Sequence, residues 1–228
     1  MTGVVIQARM GSTRLPGKVL KSLAGIAILE HIVHRASLVA QQVQIVVATT
    51  DQVQDNVILQ FCRERNTKVF RGSENHVLER YVQCARHYSF DHVVRLTADN
   101  PFVDVEEIDR LILLHFESNS DYTSSFRNLP VGVGAEIFLF SALERSLKKG
   151  VLPHHVEHVN EYILEHPDEF TIAELTIPSA KKRPDTRLTV DTPEDFRKAA
   201  FICEQAPYPV STLEAIKLSE QFEMICAR

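Results

Sequence analysis

The 228-residue sequence predicts one α/β domain, a mostly parallel central sheet with helices on both faces. Three observations predict it. Short β-branched runs alternate with longer amphipathic segments of helical period. In the front half this strand–helix unit recurs about every 25–35 residues, as in parallel strands joined by helical crossovers. Hydrophobic residues make up 44% and charged residues 24%, which suits a folded core and excludes a disordered chain, a collagen and a coiled-coil rod.

The elements follow in order. Residues 3–8 (GVVIQA) form an apolar run of strand length, and Ile28, Ile32, Ala36 and Val39 give 28–41 a helical stripe. Residues 43–48 read as a second strand, 55–65 as a helix, 67–71 as a short strand and 77–88 as a helix. Residues 92–98 are again strand-like, and 105–116 helical. The second half is less regular: strands are expected at 121–125, 135–140, 170–177 and 187–190, and helices at 141–149, 156–166, 193–205 and 213–224. No composition shift marks a linker, so residues 1–228 are read as a single domain.

Composition narrows the function. The formal charge of −5 argues against a nucleic-acid partner but allows a local basic pocket for phosphates. No apolar run approaches the roughly 18–20 residues of a membrane span. The first residues carry no basic leader or apolar signal segment, so a cytoplasmic location without membrane partners is expected. Cys62, Cys84, Cys203 and Cys226 lie far apart, as expected of core thiols in a reducing compartment.

The loop after the first strand, residues 7–18 (QARMGSTRLPGK), holds two glycines, two hydroxyls and three cations. At the carboxyl edge of an open α/β sheet such a loop is placed to bind a ligand. Gly11 and Gly17 permit positive φ and close backbone approach. Backbone N–H groups with Ser12 and Thr13 would line a polyphosphate, and Arg9, Arg14 and Lys18 would neutralise it. Val19 follows the lysine, so this is not a Walker A loop.

Asp99 and Asp191 each end a strand-like run just before a turn. Thr192 is placed to cap the following helix, with Pro193 at its first position and Asp195 in its first turn. If both runs share the sheet of the first strand, the two carboxylates converge beside the loop. Two carboxylates next to a triphosphate suit Mg²⁺.

These stretches resemble the cytidylyltransferase family. The match is carried by residues 7–18, 69–81 (VFRGSENHVLERY), 96–101 (LTADNP), 158–163 (HVNEYI) and 187–196 (RLTVDTPEDF). Within the family it is nearest the spore-coat polysaccharide biosynthesis protein F branch, related to the acylneuraminate and 3-deoxy-manno-octulosonate enzymes. The resemblance implies a Rossmann-like nucleotide-diphosphosugar transferase fold and transfer of CMP from CTP to a sugar or sugar-acid hydroxyl, with release of pyrophosphate. It places Arg9, Ser12, Arg14 and Lys18 on the triphosphate, with Ala8 and Gly11 in the same loop. Arg71, Gly72 and Ser73 fall near base and ribose, and Asp99 and Asp191 on Mg²⁺. Arg9, Lys18, Asp99 and Asp191 are then the catalytic set. Asn100, Glu136, His158 and Arg187 are the acceptor-side candidates. The 96–101 motif and the stretch between Tyr122 and His158 depart from the octulosonate enzymes, so the acceptor does not follow.

Three further signals have plainer readings. Residues 154–158 (HHVEH) match a short zinc-protease pattern with no downstream ligand helix, and are read as part of a structural helix. Asp51 is read as a helix-start residue. The apolar positions of the last helix, Leu213 to Ile225, suit core packing or a homodimer contact.

Overall fold

The computed structural model describes residues 1–227. It begins with β1 (Thr2–Gln7), a small hairpin of β2 (Ser22–Leu23) and β3 (Ile26–Ala27), and α1 (Ile28–Ser37). Then come β4 (Val43–Thr50), α2 (Asn56–Glu64), β5 (Lys68–Gly72), α3 (Val77–Tyr88), β6 (His92–Thr97) and α4 (Val105–Ser118). The second half holds β7 (Tyr122–Ser124), β8 (Glu136–Leu139), α5 (Phe140–Lys149), α6 (Pro153–Glu157), α7 (Glu161–Glu165) and β9 (Ile172–Glu174). It closes with α8 (Pro193–Gln205) and α9 (Thr212–Cys226).

One sheet runs in the order β5-β4-β1-β6-β8-β7-β9. β1 lies at its centre, parallel to β4 and β6, and β5 extends the parallel set. β8 alone runs against its neighbours, while β7 and β9 are parallel to each other. The expected mostly parallel α/β sheet is thus present.

Both faces of β1 are covered, which is why its sequence is apolar without alternation. Val4 and Ile6 join one core with α1, α2, α4, α8 and α9. Val5 faces the other, built by α3, α5 and the short helices after it. Cys62 and Cys84 are buried in these cores, and all four cysteines are free thiols. On α9, Ile216 and Leu218 are buried, while Leu213 and Ile225 stay exposed. No helix among the described residues is long and apolar enough to cross a membrane.

The structure corrects several boundaries. The helix expected over 28–41 stops at Ser37, because the Asp109 carboxylate binds the N–H groups of Ala40 and Gln41 and draws that chain into a turn. The hairpin at 22–27 is an addition. The helix expected over 156–166 is two helices, broken at residues 158–160. Residues 187–190 are not a sheet strand. Apart from one bridge to Val131, their backbone bonds go to two loops: Leu188 N donates to Val131 O (2.8 Å) and Val190 N to Asp99 O (2.8 Å).

Candidate active site

The site forms where β1 ends and the chain departs toward β4 on one side and β6 on the other, the crevice position of open α/β sheets. The loop after β1 is held by its own backbone. Ser12 N and Gly17 N both donate to Met10 O, at 2.8 and 3.2 Å. Met10 N in turn donates to the fully buried Asp55 carboxylate (2.7 Å). Gly17, at φ +66°, turns the chain into the 3-10 turn that carries Lys18. Of the two glycines expected to use positive φ, only Gly17 does.

Lys18 is buried and points between the two aspartates. Its Nζ lies 2.9 Å from Asp99 Oδ2, 2.8 Å from Asp191 Oδ1 and 3.0 Å from Val190 O. The expected convergence of Asp99 and Asp191 is therefore present, by a route the sequence did not suggest. Asp191 reaches the site from the irregular segment tied to the Asp99 carbonyl, not from a strand. Thr192 caps α8 as expected, and Asp195 completes the box by accepting from Thr192 N (2.9 Å).

Asp191 is the more crowded acid. Its Oδ1 also meets Arg14 at 3.1 Å, and its Oδ2 pairs with Arg187. Burial disfavours its charged form, but Lys18, Arg14 and Arg187 outweigh this and hold the carboxyl below its ordinary range. Asp99 is oriented by Thr97, whose hydroxyl donates to Oδ1 at 2.6 Å.

A cleft of about 610 Å³ opens over this pair. Arg9 and residues 11–14 form one rim, Glu74 and Asn75 the side toward β5, and Pro153, Glu157 and His158 the far wall. Gln7, Arg95 and Thr97 line it from the sheet. Arg9 is half-exposed and meets Glu74 at 3.9 Å.

The other candidates are placed differently, some on the cleft and some away from it. Ala8 is buried at the end of β1. Ser12 Oγ accepts from Leu15 N and so shapes the loop. Arg71 turns away from the cleft, donating to the carbonyls of Thr50 (2.9 Å) and Gln52 (3.1 Å). Ser73 accepts from His76 N, and the Gly72–Ser73 backbone packs on the buried Arg80. Asn100 braces Thr97 (2.9 Å). Glu136 is corrected from an acceptor contact to a supporting group, because it is fully enclosed and bound to Arg95 and to the Tyr122 hydroxyl (2.7 Å). Arg187 holds Asp191 and Asp195 from outside the cleft wall. His158 does line the cleft, just past the end of α6.

Asp99 and Asp191 fit a divalent cation. Both are hard oxygen donors, and the ammonium they share shows that one positive centre reaches an oxygen of each.

Residues 3–222 match the model of the cytidylyltransferase family. The chain belongs to that family. Among its relatives, the spore coat polysaccharide biosynthesis protein SpsF of Bacillus subtilis is 38% identical, over 89% of this chain and 86% of that protein. An uncharacterized Methanocaldococcus jannaschii protein, MJ1063, is 40% identical over 85% of this chain and 79% of its own. A solved cytidylyltransferase structure from Leptospira borgpetersenii superposes with a TM-score of 0.90 at 31% identity, covering 98% and 95% of the two chains.

As a cytidylyltransferase the chain is a nucleotidyltransferase with the Rossmann-like α/β fold. The zinc-protease pattern has a different content here. His154 and His155 both reach Glu165, at 2.9 and 2.7 Å, while His158 points away into the cleft wall. His155 Nδ1 accepts from Leu152 N, so its proton sits on Nε2 and is donated to Glu165. The cluster clasps α6 to α7.

Sequence reasoning missed Gln7, Asn75, Arg95 and Glu157 on the cleft and Asp55 beneath it. Strand alternation offered a signal for one of them. Arg95 and Thr97 stand four and two residues before Asp99, on one face of β6.

Proposed function

We propose that this protein transfers CMP from CTP to a hydroxyl of a sugar or sugar-acid acceptor and releases pyrophosphate, with Mg²⁺ as the metal. The observation that carries the reading is the Lys18-bridged pair Asp99 and Asp191, facing a loop that bears Arg9 and Arg14. Cations and acids this close, in a cytidylyltransferase, suit a metal–triphosphate substrate.

Nucleotidyl transfer is an in-line displacement at the α-phosphorus, so positioning and charge stabilisation dominate. Arg9 and Arg14 neutralise the triphosphate at the rim. Lys18 has a fixed position beside both acids and stabilises charge that builds on the departing pyrophosphate. Asp99 and Asp191 would hold the Mg²⁺, which supplies Lewis-acid polarisation of the phosphate oxygens. Base and ribose are assigned to the side of the cleft bordered by Glu74 and Asn75, next to the Arg71–Ser73 stretch of the family motif. The name of SpsF supports a role in cell-surface polysaccharide synthesis. In this reading residues 1–228 act as one catalytic domain in the cytoplasm.

The test is pyrophosphate release and thermal stabilisation with CTP, UTP, GTP and ATP in the presence of Mg²⁺. Preferential response to CTP is expected, with at least about a hundredfold loss of turnover in Asp99→Ala and Asp191→Ala and little change in folding. Preference for a purine nucleotide, or full activity in both variants, overturns the reading.

A further inference from the structure

We propose that Gln7 and Arg95 read a hydroxyl of the acceptor sugar from the floor of the cleft, as a donor–acceptor pair carrying no net charge. The inference rests on the cytidylyltransferase reading and names the chemistry at its acceptor end.

The two residues come from adjacent central strands. Arg95 opposes Val5 and Gln7 opposes Thr97 in the parallel register of β1 and β6, so both side chains project from the same face. Both line the same cleft as the acid pair and Pro153, Glu157 and His158.

Among the described residues, their hydrogen-bonding capacity is the part of the cleft floor left over. Lys18 has three acceptors, and the Thr97 hydroxyl donates to Asp99 while accepting from Asn100. The Gln7 side chain makes no hydrogen bond to another described residue, and its Oε1 is enclosed. Arg95 donates through Nη1 to Glu136, and its Nε is enclosed without a partner. Enclosed polar atoms without partners are rare in native proteins and are ordinarily accounted for by a ligand or ordered water.

Arg95 is held rigidly. Glu136 is fully buried, accepts from Arg95 on one oxygen and from the Tyr122 hydroxyl on the other (2.7 Å), and opposes Arg95 in the β6–β8 register. Asn160, at the break between α6 and α7 beside His158, reaches the same Tyr122 hydroxyl at 3.4 Å. The guanidinium is therefore fixed through Nη1, with donors left over beside the cleft.

Charge then selects the ligand chemistry. Glu136 cancels the charge of Arg95 within the floor. A carboxylate placed there would set two anions on one guanidinium in a desolvated pocket, which is costly. The Gln7 carboxamide offers one donor and one acceptor end whichever way it turns. A hydroxyl accepts one hydrogen bond and donates one, so it satisfies Arg95 and Gln7 together.

The test uses the full chain. CTP with Mg²⁺ is titrated calorimetrically into wild type, Gln7→Leu and Arg95→Gln. Each CTP complex is then scanned by thermal shift against a neutral series (mannose, N-acetylglucosamine, ribitol) and an acid series (gluconate, N-acetylneuraminate). CTP affinity is expected to change less than about twofold in Gln7→Leu, with at least about a tenfold loss of affinity for the neutral polyols that stabilise the wild type. Arg95→Gln leaves Glu136 unpaired and lowers stability, so Gln7→Leu decides. Loss of CTP affinity in Gln7→Leu overturns the proposal in favour of a nucleotide contact. So does stabilisation by the acid series alone, or by neither series, while CTP binds. Failure of CTP to bind the wild type is a separate result and falls on the cytidylyltransferase reading itself.

Discussion

The Lys18 ammonium lies 2.8 Å from Asp191 Oδ1 and 2.9 Å from Asp99 Oδ2, joining two acidic loops that the sheet itself does not connect. Without it, two carboxylates face one another in a partly desolvated pocket. Lys18→Met is expected to destabilise the free protein by about 2–3 kcal/mol and to lower turnover by at least about a hundredfold. Chemical denaturation and pyrophosphate release report the two effects. A variant with full stability would show that the bridge contributes nothing to folding. Added Mg²⁺ is expected to recover part of the stability, because it neutralises the same acids.

Glu136 tests how a buried partner supports the cleft. Glu136→Leu leaves the Arg95 guanidinium enclosed and uncompensated, at an expected cost of about 3–5 kcal/mol. Burial opposes the charged form of Arg95, and in the wild type Glu136 outweighs this and raises its pKa above the ordinary value. Without Glu136 the guanidinium still keeps its proton, because arginine is too strong a base to lose it. Glu136→Gln retains the shape and an acceptor and is expected to lose less than half as much. Equal denaturation midpoints for the two variants would remove the charge argument.

Gly132 tests how Asp191 is placed. Its φ is +93°, and a Cβ there would come within 2.6 Å of Thr189 N. Gly132→Ala therefore pushes on the segment that delivers Asp191. We expect a loss of about 2–3 kcal/mol together with reduced turnover, because the backbone strain and the clash act at one point. Wild-type turnover in this variant would mean that Asp191 is positioned independently of the 131–133 loop.

His115 makes a pH prediction. Burial, with a smaller contribution from neighbouring His92, depresses its pKa to about 4; Asp121 opposes the shift. Its ring nitrogens meet His92 Nδ1 (3.1 Å) and the Thr123 hydroxyl (2.9 Å). The unfolded chain takes up this proton near pH 6.5 and the folded chain only near pH 4. The neutral form's advantage is complete above pH 6.5 and declines as pH falls, disappearing near pH 4. It amounts to on the order of 3 kcal/mol. Denaturation at pH 7 and pH 4.5 should show a smaller pH-dependent loss for His115→Gln than for the wild type. Identical slopes would refute the assignment.

Much of the fold was legible because it depends on local patterns. The apolar β1 and β4 runs, the α3 stripe and the Thr192–Pro193–Asp195 cap each carry their own signal. The loop from Arg9 to Lys18 and the acids Asp99 and Asp191 were legible for the same reason: they lie beside recognisable strand or helix ends. What was not legible depends on partners distant in sequence. The run 187–190 has strand composition, yet its backbone bonds go to Val131 and Asp99. Arg71 has the residue type of a phosphate or base contact, but the carbonyls of Thr50 at the end of β4 and of Gln52 just past it claim it. Glu136 reads as a ligand contact until β8 brings it against Arg95. No window of sequence around these residues contains the group that decides their role.

The tether from Val190 N to the Asp99 carbonyl has a consequence for when the protein becomes competent. The seven sheet strands and the first loop all precede residue 175, whereas the second acid belongs to a segment that follows them in the chain. During synthesis, the residues of the whole sheet, with Arg9, Lys18 and Asp99, are therefore made before Asp191 is. The exposed turn at residues 182–185 separates these two stages along the chain. Cleavage there would cut Asp191 off from the chain that carries Asp99, and with it the α8 and α9 side chains that complete one of the two cores. The acid pair and that core are therefore complete only once the last quarter of the chain has been made and packed.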